Sequence, residues 1–153
     1  MRRRVTGIAV WMLIVLVSAS CASFGGRATA SAPSLYARLG GYTALAAVTD
    51  DFLARELKDP AIAPFFKGLE ARDVQRIRQH IVDQLCAVTG GPCFYPGKEM
   101  KAVHAEMEIT NDVWNTFTGH IGETLVAFKV PERDRNELVV IVQSLKKDIV
   151  NKP

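Results

Sequence analysis

From Leu35 onward, apolar residues recur three and four positions apart and nowhere sustain the alternation of a strand, so this segment must be built from helices. Leu45, Val48, Phe52 and Leu53 mark one face of a helix expected to run to about Leu57. Asp59-Pro60 reads as a helix start, with Asp as the cap and Pro tolerated at the first position. It opens a short turn through Phe66. Val74, Ile77, Ile81, Leu85 and Val88 form the stripe of a longer helix, which Gly90-Gly91-Pro92 stops. Met100, Val103 and Met107 predict another short helix. Thr110 is placed to cap a helix carrying Val113, Trp114, Phe117, Ile121 and Leu125. Pro131-Glu132 opens the last helix, with Leu138, Ile141, Val142, Leu145 and Ile149 inward and Lys146 and Lys147 near its C-terminal dipole. The expected product is an all-α, bundle-like domain of four substantial helices with two short ones between them.

A chain of 153 residues has room for one such domain. Nineteen basic and 16 acidic residues give a net charge of only +3, three of the positive charges being Arg2, Arg3 and Arg4. The remainder is close to neutral, which excludes the dense basic face a nucleic-acid binder needs. The chain has no Gly-rich phosphate loop and no internal repeat.

Those three arginines precede the apolar run from Ile8 to Val17, and Ser18-Ala-Ser-Cys21 follows. Basic flank, short apolar run and small residues make a bacterial-type signal peptide. The run is shorter than the ~20 apolar residues of a transmembrane helix. Cys21 resembles the lipid-acceptor cysteine of bacterial lipoproteins, although Ser18 stands where leucine is usual. Cleavage after Ala30 and an uncleaved N-terminal anchor are the alternatives. The favoured reading is a signal over residues 1–21, a flexible Ala/Ser/Gly tether over 22–34 and a folded domain over 35–150. It implies an exported protein held on an envelope membrane and facing the periplasm.

The order of motifs resembles the group I truncated haemoglobins. Leu35-Tyr-Ala-Arg-Leu-Gly-Gly41 looks like that family's opening, where paired glycines join the first two helices. The segment from Asp59 to Phe66 is similar to the short helix that presents a phenylalanine to haem, a role falling on Phe66. Gly90-Gly91-Pro92 matches the second glycine junction. In Met100-Lys-Ala-Val-His-Ala-Glu-Met-Glu-Ile-Thr110, His104 matches the family's proximal iron ligand. The resemblance implies a shortened two-over-two helical sandwich around a haem b, which takes a neutral imidazole well. Phe52, Leu53, Phe66, Ile77, Ile81, Leu85, Met100, Val103, Ile109, Trp114 and Phe117 are then the expected apolar wall. Tyr95, Lys98 or Lys101 is expected to reach a haem propionate.

The chain also departs from the family pattern. Leu53 stands where a tyrosine usually follows the phenylalanine, and Ile77 and Ile81 replace distal glutamines, leaving Gln84 as the nearest amide. An apolar distal side donates no hydrogen bond to a polarised diatomic ligand, which argues against very tight oxygen retention and weakens, without removing, the expectation of family-style nitric oxide dioxygenation that would detoxify nitric oxide. His80 resembles a histidine that closes the sixth iron position in some cyanobacterial members; a solvated rim residue is its alternative. Leu145 stands where the histidine of covalent haem attachment would be, so the haem is expected to be non-covalent. His120, beside Phe117 and Ile121, reads as structural.

Cys86 and Cys93, seven apart across the Gly-Gly-Pro turn, suit a disulfide in an exported domain, or else a pair of buried thiols. At ~100° per residue Cys86 faces away from the apolar stripe. Three functions follow: reversible binding of oxygen, nitric oxide or carbon monoxide; electron exchange at a haem ligated by both His80 and His104; or a cofactor-free helical lipoprotein. A monomer is expected, served by a reductase that no residue identifies.

Overall fold

A computed structural model of the chain describes residues 32–152. The expected signal segment, Cys21 and nearly all of the tether lie outside the described residues. Among the described residues there is no strand. The helices are α1 (Leu35–Arg38), α2 (Gly41–Glu56), α3 (Ala71–Val88), α4 (Met100–His104), α5 (Asn111–Ala127), α6 (Glu132–Gln143) and α7 (Lys146–Ile149). A 3-10 turn, Ala63–Phe66, joins α2 to α3. None of these helices is long and apolar enough to cross a membrane.

Local chemistry explains the boundaries. Ser34 caps α1, its hydroxyl accepting from the Ala37 amide at 3.3 Å. Gly40 then takes φ +92°, a left-handed conformation, and a Cβ there would lie 2.9 Å from Ala44 Cβ. The paired glycines are thus a backbone requirement of the α1–α2 corner. Thr110 caps α5 as expected, accepting from the Val113 amide. At the end of α3 the chain passes so close beneath Tyr36 that a Cβ on Gly91 would meet its ring at 2.5 Å and Cys86 Sγ at 2.6 Å. Cys86 and Cys93 are joined there in the expected disulfide, with Cα atoms 5.7 Å apart.

α2 packs on α3 and α5, α1 on α2 and α6, α5 on α6, and α4 on α7. Arg38 binds Asp134 at 2.8 Å and also Glu137, tying α1 to α6. The core has two parts. Leu35, Leu125, Val130 and Leu138 form one; Ile109, Trp114, Val142 and Ile149 form the other.

Two expectations change. The last helix is not continuous: Ser144 turns its hydroxyl back onto the Ile141 carbonyl at 2.6 Å, and Leu145 bonds to Val142 rather than one residue further back. The side chain competes for helix carbonyls and tightens the backbone, so α6 ends and Lys146 and Lys147 open the separate turn α7. On α3 the fully buried residues are Val82 and Cys86, not the expected stripe. Ile77, Ile81 and Leu85 are half-buried and Val88 is exposed, because this stripe faces a cavity rather than a neighbouring helix.

Candidate functional site

The cavity lies between the α3 stripe, α4 and the inner faces of α2, α5 and α6, with a volume of about 300 Å³. A smaller one of about 110 Å³ abuts it toward the C-terminal end of α2 and the 3-10 turn. The two share Phe52, Phe65, Phe66, Ile81, His104, Met107, Trp114, Phe117 and Ile149 in their walls. Aromatic packing fixes much of this surface. Phe52 meets Phe117 edge-on at 5.1 Å, and Trp114 stacks on Phe117 at 5.7 Å while its indole N–H donates to Gln143 at 3.1 Å.

The expected wall residues and both histidines are brought together, whereas Lys98 and Lys101 line neither cavity. Phe52, Phe66, Ile77, Ile81, Leu85, Tyr95, Met100, Val103, Trp114 and Phe117 line the larger cavity, as do His80 and His104. Leu53 and Ile109 line the smaller one only. His80 is not a fully solvated rim residue: its ring meets Tyr95 edge-on at 6.0 Å within the cavity wall. Tyr95 donates its hydroxyl to the Lys98 carbonyl at 3.1 Å, and burial raises the phenol above its ordinary pKa. Lys98 and Lys101 are exposed. Gln84 is in the wall, and Leu145 stands there with no nucleophilic atom. Cys86 is absent from both walls, as its helical angle requires.

His104 ends α4, and its Nδ1 lies 2.8 Å from the Met100 carbonyl. A carbonyl can only accept, so Nδ1 carries the proton and Nε2 keeps its lone pair. The arrangement suits an iron porphyrin. One oriented imidazole lone pair meets a cavity whose wall is almost wholly apolar, with polar groups confined to a few positions such as His80, Gln84 and Tyr95.

Sequence reasoning missed three features. Asn151, beyond the expected domain end, donates to the His104 carbonyl at 2.7 Å and to that of Ala105 at 3.0 Å, while its oxygen accepts from the Ile109 amide. It therefore clamps the end of α4. Thr49 is fully buried in the larger wall, its hydroxyl donating to the Leu45 carbonyl. Glu56 is fully buried in the wall of the smaller cavity, its Oε1 2.8 Å from His120 Nδ1. A carboxylate three and four residues past Leu53 and Phe52 falls on their face of α2, so the spacing held the signal.

An all-helical sandwich closing on an apolar cavity with one oriented histidine defines a globin. The family model for bacterial-like globins matches residues 34–151. The group 1 truncated hemoglobin GlbN of Mycolicibacterium paratuberculosis is 33% identical over 116 residues, covering 76% of this chain and 83% of that one. The Fe(III) form of truncated hemoglobin from Tetrahymena pyriformis superposes with a TM-score of 0.73 at 28% identity, over 78% of this chain and all of that one. The 2/2 hemoglobin from Synechococcus, solved in the cyanomet state with covalently attached heme, has a TM-score of 0.71 at 26% identity and covers 78% of this chain. The chain belongs to the bacterial-like globin family, among the group 1 truncated haemoglobins.

Proposed function

We propose that this globin binds haem b non-covalently through His104 Nε2 and takes up and releases a diatomic gas. The observation that carries the reading is the Nδ1 bond of His104 to the Met100 carbonyl, which fixes the tautomer and leaves the ligating nitrogen free at an apolar cavity. Bound there, the haem supplies an iron with a position open to the gas. The protein's own part is to hold and to exclude. Phe52, Phe66, Trp114 and Phe117 keep water from the interior, and Asn151 holds the end of α4. Tyr95 in the wall, and the exposed Lys98 and Lys101 that flank wall residue Met100 in the sequence, are the partners for propionates. Leu145 in the wall offers no group for covalent attachment, and both cysteines of the described residues are bridged. Changing His104 to Ala is expected to abolish the Soret band at native haem stoichiometry; a normal ferric spectrum in that variant would overturn the reading.

A second reading rests on His80, which lines the same cavity as His104. There it acts as an internal ligand that competes with gases and lowers their apparent affinity by the fraction of time the position is occupied. Absorption spectra test it: ferrous wild type is mainly six-coordinate, and His80→Leu becomes five-coordinate and binds carbon monoxide faster. Identical spectra and rates return His80 to a wall residue.

Cys21 carries the anchor in this reading, so that the globin works at the periplasmic face of an envelope membrane. A fatty-acid analogue is expected to label the full chain and not Cys21→Ser; equal labelling of both removes the lipid.

A further inference from the structure

Glu56 is the one acidic side chain in the wall of the smaller cavity, which is otherwise apolar apart from His104. Its Oε1 is bonded to His120 Nδ1 at 2.8 Å, whereas Oε2 is buried without a hydrogen-bond partner among the described residues. Beyond it, His120 Nε2 lies 3.5 Å from Asp59 Oδ2, and Asp59 is partly exposed to water. Asp59 is itself held in place, accepting from the Ala61 amide at 2.7 Å. These three side chains join the cavity to solvent in a line.

An ionised carboxylate with one buried, unpaired oxygen is costly, and protonation removes the cost. With the proton on Oε2, Oε1 still accepts from the His120 N–H, and Oε2 becomes a donor. Burial pushes the carboxyl up to about 7, opposed by the bond from His120. The titratable groups that face Glu56 are His120 from α5 and Asp59 from the connection after α2, with His104 elsewhere in the same wall. The 3-10 turn and α3 present only Phe65, Phe66 and Ile81.

We propose that Glu56, protonated on Oε2, is the hydrogen-bond donor to a small diatomic ligand in this pocket, and that His120 and Asp59 exchange its proton with solvent. The inference rests on the haem-binding reading above. It supplies, one turn further along α2, the donor that Leu53 does not provide. Exchange is balanced: a proton taken up at His120 Nε2 releases the Nδ1 proton to Oε1, a half-turn of the carboxyl group carries it to the unpartnered position, and exchange of the imidazole protons with water restores the Nδ1–H donor, so no electron moves. The donor is present below the transition of Glu56 and lost above it.

The test is the infrared stretch of carbon monoxide bound to the haem-loaded full chain, followed against pH. A donor stabilises negative charge on the ligand oxygen and weakens the C–O bond, lowering the frequency. The wild-type band is expected to move to higher frequency through one transition near pH 7. In Glu56→Gln, which keeps an amide donor of the same shape, the band should stay low across the range, and in Glu56→Leu it should stay high. In His120→Leu the transition should move to higher pH, because the bond that lowers the carboxyl's pKa is gone. Oxygen retention should fall roughly fivefold across the wild-type transition, the worth of one ordinary hydrogen bond. A wild-type band indifferent to pH, or a Glu56→Leu band that titrates like wild type, overturns the donor while leaving the haem site standing. Absence of a Soret band and of any carbonyl stretch removes both.

Discussion

At the scale of single residues, Glu56 contrasts with the acidic groups on the surface. Arg78 holds Asp50 below the usual carboxylate range, Arg55 does the same for Asp51, and Lys152 for Glu108. Those groups contribute stability that is lost only as pH falls through their lowered values. Glu56 works in the opposite sense. The folded chain holds its proton more tightly than the unfolded chain, where the carboxyl has its ordinary 4.5. The stability this contributes is complete below 4.5 and is lost as pH rises through about 7. Urea unfolding should therefore show the wild type weakening between about pH 5 and pH 8 by on the order of 3 kcal/mol, and Glu56→Gln weakening much less. Parallel pH profiles for the two proteins would contradict this. His104 could be proposed as the ligand from its place in a motif, because the family's proximal ligand has a fixed residue type and position. Glu56 could not be assigned in the same way. Its importance lies in what it lacks, a partner for Oε2, and only packing in three dimensions shows that.

At the scale of elements, apolar spacing located α2, α3, α5 and α6, because each buries a continuous face that recurs with the helix period. It failed where a side chain acts on the backbone. The Ser144 hydroxyl splits α6 from α7, and no periodicity registers that bond. On α3 the spacing separated Cys86 from the apolar stripe but did not show which face is fully buried. The stripe through Ile77, Ile81 and Leu85 addresses the cavity, as a haem wall would, while Val82 and Cys86 are the residues buried against the protein. The disulfide pins this second face to the segment that crosses under Tyr36. Its loop is short, so chain entropy limits its worth to about 2.5 kcal/mol. Reduction, or the pair Cys86→Ala and Cys93→Ala, is expected to lower stability by no more than that, with the Soret band retained because neither cysteine touches the cavity. Loss of haem on reduction would mean that the bridge positions α4 as well. Gly91→Ala should be the more damaging change, since its Cβ collides with the Cys86 backbone carbonyl at 2.8 Å as well as with the Tyr36 ring. A thermal melt within about 1 °C of wild type would remove the close approach as the reason for glycine there.

At the scale of the whole molecule, both core clusters reach the larger cavity, but only the second contributes to the smaller one that also holds His104. Leu35, Leu125, Val130 and Leu138 join α1, α5 and α6. Ile109, Trp114, Val142 and Ile149 lie beside His104, with Met100, Met107 and Phe117 packed against them. α4, which carries His104, is only five residues long and packs chiefly on α7. It is further secured by the Asn151 bonds to the His104 and Ala105 carbonyls. A helix so short is not stable by itself in water, so its order depends on what its inner face touches. Haem bound through His104, as proposed, would add a further contact to that face, and a ligand that binds only the folded state stabilises it by ~2.7 kcal/mol at a hundredfold excess over Kd. That stabilisation should be local as well as global. In hydrogen exchange of the full chain with and without haem, amides of α4 and of the segment 90–99 should lose most of their protection without haem. Amides near Leu125 and Leu138 should keep theirs. Asn151→Ala should reproduce part of the α4 effect in the loaded protein and speed haem loss, since it frees the same end of the helix. Uniform loss of protection along the chain would mean instead that the two clusters unfold as one unit and that α4 has no separate stability to lose.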